Sequence, residues 1–155
     1  MSTTTADQVD VRGPRFVAWI TTAALVVTLI TSAVSTSAAA VILGVQAVIF
    51  AIGAIAGPKR HPYGLIFAGL VAPRLGPVRN REPVPPLKFA QLVGLVFAAV
   101  GVTGFATGAL YVGVVATGAA LVAALLNAAF GICLGCQLYP LLVRLRPAPK
   151  AAETT

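Results

Sequence analysis

Residues 16–56 read FVAWITTAALVVTLITSAVSTSAAAVILGVQAVIFAIGAIA and contain no charged side chain. Two apolar runs, 16–34 and 38–56, lie within this stretch, and a very short turn separates them. A helix of about 20 apolar residues, rising about 1.5 Å per residue, is long enough to cross the hydrocarbon core of a bilayer. We therefore expect two membrane-spanning helices joined as a helical hairpin.

The second half of the chain repeats this arrangement. A third uncharged run covers 89–107, and a fourth begins at Leu110 and continues without charge as far as Arg144. The whole of this last run is too long for one straight crossing, so we place the fourth span at 110–136. The second pair of helices is again separated by a very short turn.

The predicted fold is therefore all-α and integral to a membrane, with four transmembrane helices arranged as two helical hairpins. A proline-rich, basic connection at 57–88 joins the hairpins. The transmembrane domain covers 14–146, between polar tails at 1–13 and 147–155. The composition supports a lipid environment, because 58% of the 155 residues are hydrophobic and only 10% are charged, against about 25% charged in soluble domains.

The eleven cations predict the orientation of these helices. They fall into three groups: Arg12 and Arg15; Lys59, Arg60, Arg74, Arg79, Arg81 and Lys88; and Arg144, Arg146 and Lys150. Neither hairpin turn contains a cation. Because Lys and Arg stay on the cytoplasmic side, both termini and the connection are expected to be cytoplasmic, in the inner (plasma) membrane. Since no basic face belongs to a soluble fold, we do not expect nucleic acid as a partner.

The connection contains seven of the eleven prolines and cannot be one continuous helix. Within it, apolar side chains recur at helical spacing from Tyr63 to Val71, in a stretch too short to span a bilayer. We predict a short helix there that lies at the membrane surface. His61, just before this stretch, is predicted to be a solvated loop residue.

The sequence offers one candidate for chemistry, the pair Cys133 and Cys136, which are the only cysteines in the chain. Two thiols three residues apart on a helix share one face and can form a disulfide or accept a sulfane sulfur. Pro140 cannot donate to the carbonyl of Cys136, so we expect a kink at the cysteines. We predict a redox pair here, at the cytoplasmic end of the fourth span.

Other interpretations of this pair stay open. Reactive cysteines usually lie at a helix N-terminus, whereas these follow a long helix, unless the kink starts a new helix at Cys133. Without such a helix, cations such as Arg144 or Arg146 would have to activate the thiols. The cysteines could also serve packing alone. Because two thiols and His61 leave a four-ligand site incomplete, we predict neither a metal nor another cofactor.

The remaining interior residues favour structural roles. The spans contain no Asp, Glu, Lys, Arg or His, which argues against a proton-coupled pump. Gln46, Gln91 and Asn127 are expected to hydrogen-bond between helices. Small residues at four-residue spacing predict close helix packing, either within this chain or in a homo-oligomer.

Several segments carry a resemblance to a known family: Val9–Phe16, His61–Gly64, Pro73–Pro77, Pro85–Gln91 and Gly131–Tyr139. Together they resemble the domain-of-unknown-function 4395 family of small bacterial membrane proteins, over about residues 9–145. The resemblance implies an inner-membrane protein whose activity is not established. Relatives in that family occur near thioredoxin-like and sulfurtransferase proteins, which implies a cytoplasmic partner of either kind.

Three functions remain as hypotheses. The first is a thiol–disulfide or sulfur relay between Cys133 and Cys136 and a thioredoxin-like or sulfurtransferase protein. The second is a non-catalytic accessory subunit of a larger membrane complex. The third is a carrier or pore for a small solute. The sequence does not require an enzyme in any of the three.

Overall fold

The computed structural model describes residues 7–145, most of which are helical. Within this range we number six α-helices and two strands in chain order. The helices are α1 (Arg12–Ser32), α2 (Thr36–Ala56), α3 (Pro62–Ile66), α4 (Val84–Ala106), α5 (Leu110–Phe130) and α6 (Leu134–Leu145). The strands β1 (Gln8–Asp10) and β2 (Arg81–Pro83) form an antiparallel pair. The predicted tail at 147–155 lies outside the described residues.

Four of these helices, α1, α2, α4 and α5, are long and apolar enough to cross a membrane. Each has 21 or 23 residues, which confirms the predicted number of long apolar helices. Large apolar side chains cover their outer surface; Ile30 of α1 is 67% exposed and Ile55 of α2 is 78% exposed. An apolar outer surface of this extent is typical of helices that face lipid.

These four helices form a closed ring in which each helix packs on two others. α1 contacts α2, α2 contacts α4, α4 contacts α5, and α5 contacts α1. The interior cluster contains Leu25, Leu43, Phe50 and Phe105. Small residues bring the backbones together, since a Cβ on Gly104 of α4 would lie 2.5 Å from the backbone nitrogen of Gly113 on α5. At this position small residues serve packing within the chain.

The connection between α2 and α4 is ordered and partly helical. After α3, the chain continues through a π-helical turn (Phe67–Val71) and a 3₁₀ turn (Ala72–Arg74). The Phe67 ring packs on Phe16 of α1, with ring centroids 5.7 Å apart. The predicted apolar stretch is thus helical and lies against the bundle.

The β pair fixes the N-terminal segment to the connection. Val9 lies opposite Glu82 in the ladder, and Asp10 lies opposite Arg81. Arg12 and Asp10 form an ion pair at 2.8 Å next to this ladder. Residues 8–10 belong to the predicted polar tail at 1–13, and the structure shows them in extended pairing with 81–83.

The fourth long helix ends earlier than the predicted bound of 136. α5 stops at Phe130, because Gly131 adopts a left-handed conformation with φ of +69°. The first and third long helices begin earlier than predicted, at Arg12 and Val84. Counting only uncharged residues placed these starts too late, since the first turn of a helix can carry Arg15 or Lys88.

Candidate functional site

The site begins where α5 ends. The N–H of Gly131 donates to the carbonyl of Asn127 at 3.0 Å, and that of Ile132 donates to Leu126 at 3.2 Å. A glycine in the left-handed region satisfies the last carbonyls of a helix and reverses the chain, which other residues do only with strain. The helix therefore terminates before it reaches Cys133 and Cys136.

Cys133 lies immediately before the first residue of α6. Its carbonyl accepts a hydrogen bond from the N–H of Gln137 at 3.1 Å, the first i→i+4 bond of the new helix. Its Sγ accepts the N–H of Cys136 at 3.3 Å. The sulfur thus occupies the place of a capping oxygen, which accepts an N–H of the first turn in many helices.

This position changes the electrostatics expected of the pair. The N-terminus of a helix carries partial positive charge and stabilises an anion such as a thiolate. Of the two arrangements left open by the sequence, the structure shows a new helix that starts at the cysteines, because Gly131 separates α5 from α6. The kink that we expected Pro140 to cause at the cysteines is instead a break just before them, and Pro140 lies inside α6.

The two thiols interact directly and unequally. The S–H of Cys136 donates to Sγ of Cys133, with the sulfurs 2.6 Å apart. This hydrogen bond lowers the pKa of Cys133 below its usual value, although burial opposes the shift. The same hydrogen bond, together with burial, raises the pKa of Cys136. Cys133 is therefore the thiol that deprotonates first, and Cys136 is the thiol that keeps its proton.

α6 is held in place by two contacts with α4. Gly135, between the two cysteines, is buried against Ala90, so closely that a Cβ on Gly135 would lie 2.6 Å from the Ala90 Cα. One turn further on, the ring of Tyr139 packs on Phe89, with centroids 6.1 Å apart. Tyr139 is half-buried in this contact.

Two charged residues, Glu82 and Arg15, act on this region, and neither was among the predicted site residues. Burial raises the pKa of Glu82, and the charge of Arg15 opposes this shift. The Glu82 charge in turn raises the pKa of both cysteines. Arg15 also donates to the carbonyls of Ala128 and Ala129, at 3.4 and 3.3 Å, where α5 ends.

The sequence contains a feature that could have indicated Glu82 as a site residue. It is the only acidic residue of the connection at 57–88, among six cations. Of the cations proposed to activate the thiols, Arg144 is exposed on α6 and Arg146 lies outside the described residues.

The structure places His61 in the interior of the protein. Predicted to be solvated, it is only 1% exposed and lies between α2 and α4. Gly53 makes room for it, because a Cβ on Gly53 would lie 2.6 Å from Cδ2 of His61 and 2.9 Å from Cγ of Gln91. Burial lowers the pKa of His61 to about 4, with Gln91 opposing the shift, so the imidazole is neutral at neutral pH.

The expected hydrogen bonds between helices are only partly formed. Tyr63 donates through its hydroxyl to Oε1 of Gln46 at 3.0 Å, which ties the connection to α2. Gln46 Nε2, Gln91 Oε1 and both ring nitrogens of His61 are buried without a partner among residues 7–145. Unpartnered buried polar atoms are rare in proteins, so these groups need an explanation.

A cavity of about 910 Å³ joins the two polar regions. Its walls come from the N-terminal halves of α1 and α4, from the C-terminal half of α5, from the connection and from the start of α6. Most of its lining is apolar. The polar and charged residues of the lining include His61, Gln91, Asn127 and Cys133, together with Asp10, Lys59 and Arg81. Within residues 7–145, no three His, Cys, Asp or Glu side chains are grouped closely enough to hold a metal ion.

Comparison with known proteins identifies the family of this chain. The model of the family described as Domain of unknown function (DUF4395) matches residues 9–144. The chain belongs to this family. No curated protein and no solved structure matches the chain.

The match gives this DUF4395 chain a family but not an activity. It covers all four long helices, the connection, and both cysteines of the site. The structure brings together the two cysteines that the sequence singled out. It adds Glu82, whose charge acts on both thiols, and Arg15, which acts on Glu82 and on the end of α5. His61 and Gln91 lie elsewhere on the same cavity wall.

Proposed function

We propose that this chain is a four-span inner-membrane protein whose Cys133–Cys136 pair exchanges thiols and disulfides with a cytoplasmic, thioredoxin-like protein. One observation carries the proposal: Cys133 starts α6, and its sulfur accepts hydrogen bonds from both the N–H and the S–H of Cys136. Low-pKa thiols at helix N-termini in Cys-X-X-Cys pairs are the usual nucleophiles of thiol–disulfide exchange.

The placement in the membrane is supported by the four apolar helices and by the charges at their ends. α1, α2, α4 and α5 would span as two hairpins, with the turns after Ser32 and Ala106 on the outer side. Those turns contain no Lys or Arg, whereas the connection and the ends of the chain contain all eleven. Both termini and the thiols are then cytoplasmic.

The surface around the thiols suits a protein partner. Ile132 and Leu134 flank Cys133 and are 39% and 40% exposed, so they offer apolar contact area beside the sulfur. The connection adds exposed cations, including Arg74, Arg79 and Arg81. A partner with an acidic rim around its own disulfide would be attracted to this surface, since complementary charge speeds encounter.

The exchange proceeds in two balanced steps. The Cys133 thiolate attacks the partner's disulfide, so that a Cys133–partner bond forms and the partner's second sulfur leaves as a thiolate. Cys136 then loses its proton and attacks Cys133, which forms the Cys133–Cys136 disulfide and releases the partner as a dithiol. The two protons of the pair are taken up by the partner's two sulfurs. The reverse sequence oxidises the partner.

Trapping in cells tests this order of events. In Cys136→Ser, the first step can occur but the second cannot, so we expect a mixed disulfide that is stable in non-reducing gels. Cys133→Ser should give none, although it retains one cysteine and serves as the matched control. Equal trapping by both variants would contradict the assignment. Inertness of both thiols to a membrane-permeant maleimide, under every redox condition, would exclude exchange altogether.

Two related measurements separate the exchange proposal from a sulfur relay and from an accessory role. A sulfur relay predicts a persulfide on Cys133 rather than a mixed disulfide, and mass spectrometry of the intact chain distinguishes the two by mass. If a Cys133→Ala, Cys136→Ala double variant keeps its assembly with other proteins and its cellular phenotype, an accessory role replaces the exchange proposal.

A further inference from the structure

The cavity beside the thiols has the size and the lining of a binding site. Its volume of about 910 Å³ lies within the range of roughly 300–1,000 Å³ that is common for ligand sites. Val17 of α1, Phe50 of α2, Phe67 of the connection and Phe97 of α4 contribute to an extensive apolar wall. A ligand that fits this cavity must therefore be largely apolar and soluble in lipid.

The polar atoms on the wall add a second requirement. His61 and Gln91 lie beside each other and both line the cavity, and neither the ring nitrogens of His61 nor Oε1 of Gln91 has a well-formed hydrogen bond among residues 7–145. A neutral imidazole has one N–H donor and one acceptor nitrogen, and an amide oxygen accepts. The ligand should thus present oxygen atoms that can accept a hydrogen bond from the imidazole N–H and donate one to its other nitrogen or to Gln91 Oε1.

The third requirement comes from the thiols. Cys133 lines the same cavity, whereas Cys136 contributes no part of the lining. Of the two cysteines, a ligand in the cavity therefore lies beside Cys133, the thiol that deprotonates first. If a ligand in the cavity accepted two electrons from the thiol pair, the oxidised product would be the Cys133–Cys136 disulfide.

We propose that the cavity binds a lipid-soluble quinone, which accepts the electrons of the Cys133–Cys136 pair. This inference rests on the proposed thiol exchange, and it identifies where the electrons go. A quinone has an apolar ring and tail, and its two carbonyl oxygens accept hydrogen bonds. Once reduced to a quinol, the same oxygens also donate, which matches the donor and acceptor atoms of His61 and Gln91.

The reaction balances without a further reagent. The Cys133 thiolate attacks a ring carbon of the quinone, forming an S–C bond and placing the electron pair on the ring. Cys136, after losing its proton, attacks Cys133; the S–S bond forms and the S–C bond breaks. The quinone takes up the two protons that the thiols lost and leaves as a quinol. A partner dithiol then regenerates the two thiols by exchange.

The test uses the reduced full chain in nanodiscs without oxygen, with decylubiquinone as the probe. Quinol is measured by absorbance, and the disulfide by a maleimide mass shift. Wild type should give about one quinol and one disulfide per chain, at a rate that saturates with the quinone concentration. Saturation separates a binding site from the direct chemical reaction of quinones with free thiols.

Ala124→Phe and His61→Leu change the cavity and leave both thiols intact. Ala124 lines the cavity, so Ala124→Phe should remove saturable oxidation. Ala99→Phe, an equal change at an exposed position of α4 outside the lining, should behave as wild type. His61→Leu should weaken quinone binding about tenfold through the lost hydrogen bond. Comparing Ala124→Phe with Ala99→Phe keeps the test valid if His61→Leu does not fold.

The outcomes distinguish this inference from the proposed exchange. Exchange is measured separately with a thioredoxin disulfide and no quinone, in the same nanodiscs. If exchange occurs but the quinone oxidises wild type and Ala124→Phe at equal, non-saturating rates, the quinone site is wrong and the exchange proposal stands. A phospholipid chain that mass spectrometry finds in the cavity, and that the quinone does not displace, would also overturn the site. If exchange itself is absent, the proposed function fails first.

Discussion

Gly135 and Ala90 are in direct contact, and this contact sets the position of the thiol pair. A Cβ on Gly135 would lie 2.6 Å from both the Cα and the Cβ of Ala90. Because the Ala90 Cα belongs to the backbone of α4, it cannot move aside as a flexible side chain would. The approach of α6 to α4 therefore depends on the missing side chain of residue 135.

Gly135→Ala is expected to displace α6 and reduce thiol reactivity without changing a cysteine. Overpacking of this kind costs about 1–3 kcal/mol of stability. Thermal denaturation in detergent measures the stability, and the rate of alkylation measures the reactivity. Gly118→Ala is the control, because a Cβ there meets nothing within 4 Å. Unchanged alkylation in Gly135→Ala would show that the contact does not position the thiols.

Gly131→Ala should disturb the start of α6. A residue with a Cβ costs about 1–2 kcal/mol in the left-handed conformation, so α5 would tend to continue towards the cysteines. Loss of the helix start should raise the pKa of Cys133 and slow its alkylation at neutral pH. Gly108 also has a positive φ, of +79°, with open space around it.

Gly108→Ala is thus the matched control for Gly131→Ala, since it carries a similar strain at the opposite end of the bundle. It should lower thermal stability by a comparable amount and leave alkylation unchanged. If both variants slow alkylation equally, general destabilisation and not the helix start controls the thiols.

Glu82→Gln should make the thiols more reactive at low pH. The Glu82 charge raises the pKa of both cysteines, so its removal lowers the pKa of Cys133. The pH profile of alkylation should shift towards lower pH. Asp7→Asn is the control, because Asp7 forms an exposed ion pair with Lys59. A shift of the Glu82→Gln profile to higher pH would mean that the carboxylate assists deprotonation instead.

Because His61 is buried in its neutral form, we expect the stability of the fold to decrease in mild acid. Its pKa is lowered from 6.5 to about 4 by burial, so between these values the unfolded chain binds a proton that the folded chain does not. The contribution of neutral His61 to the free energy of unfolding is therefore complete above pH 6.5. It decreases as the pH falls to about 4, by roughly 3 kcal/mol in total.

Thermal denaturation of wild type and His61→Gln across this pH range checks the prediction. Burial raises the pKa of Glu82, which changes stability in the opposite direction, so the difference between the two proteins isolates His61. Arg12 lowers the pKa of Asp10 below 3.8, outside this range. Parallel curves for the two proteins would show that His61 does not remain neutral when buried.

The sequence by itself determined the number of long apolar helices and the choice of thiols. Uncharged runs of about 20 residues need no knowledge of tertiary contacts, because length and hydrophobicity suffice for a helix that can span a bilayer. The two cysteines are the only ones in the chain, so their selection was equally independent of the fold.

Only the tertiary structure decided which end of a helix the thiols occupy. Hydropathy does not separate α5 from α6, since both are apolar, and the break depends on the left-handed backbone of Gly131 and the docking of Gly135 on Ala90. The burial of His61 likewise depends on Gly53, a residue on another segment that makes room for the ring. Contacts between distant residues set these environments, and local patterns do not encode them.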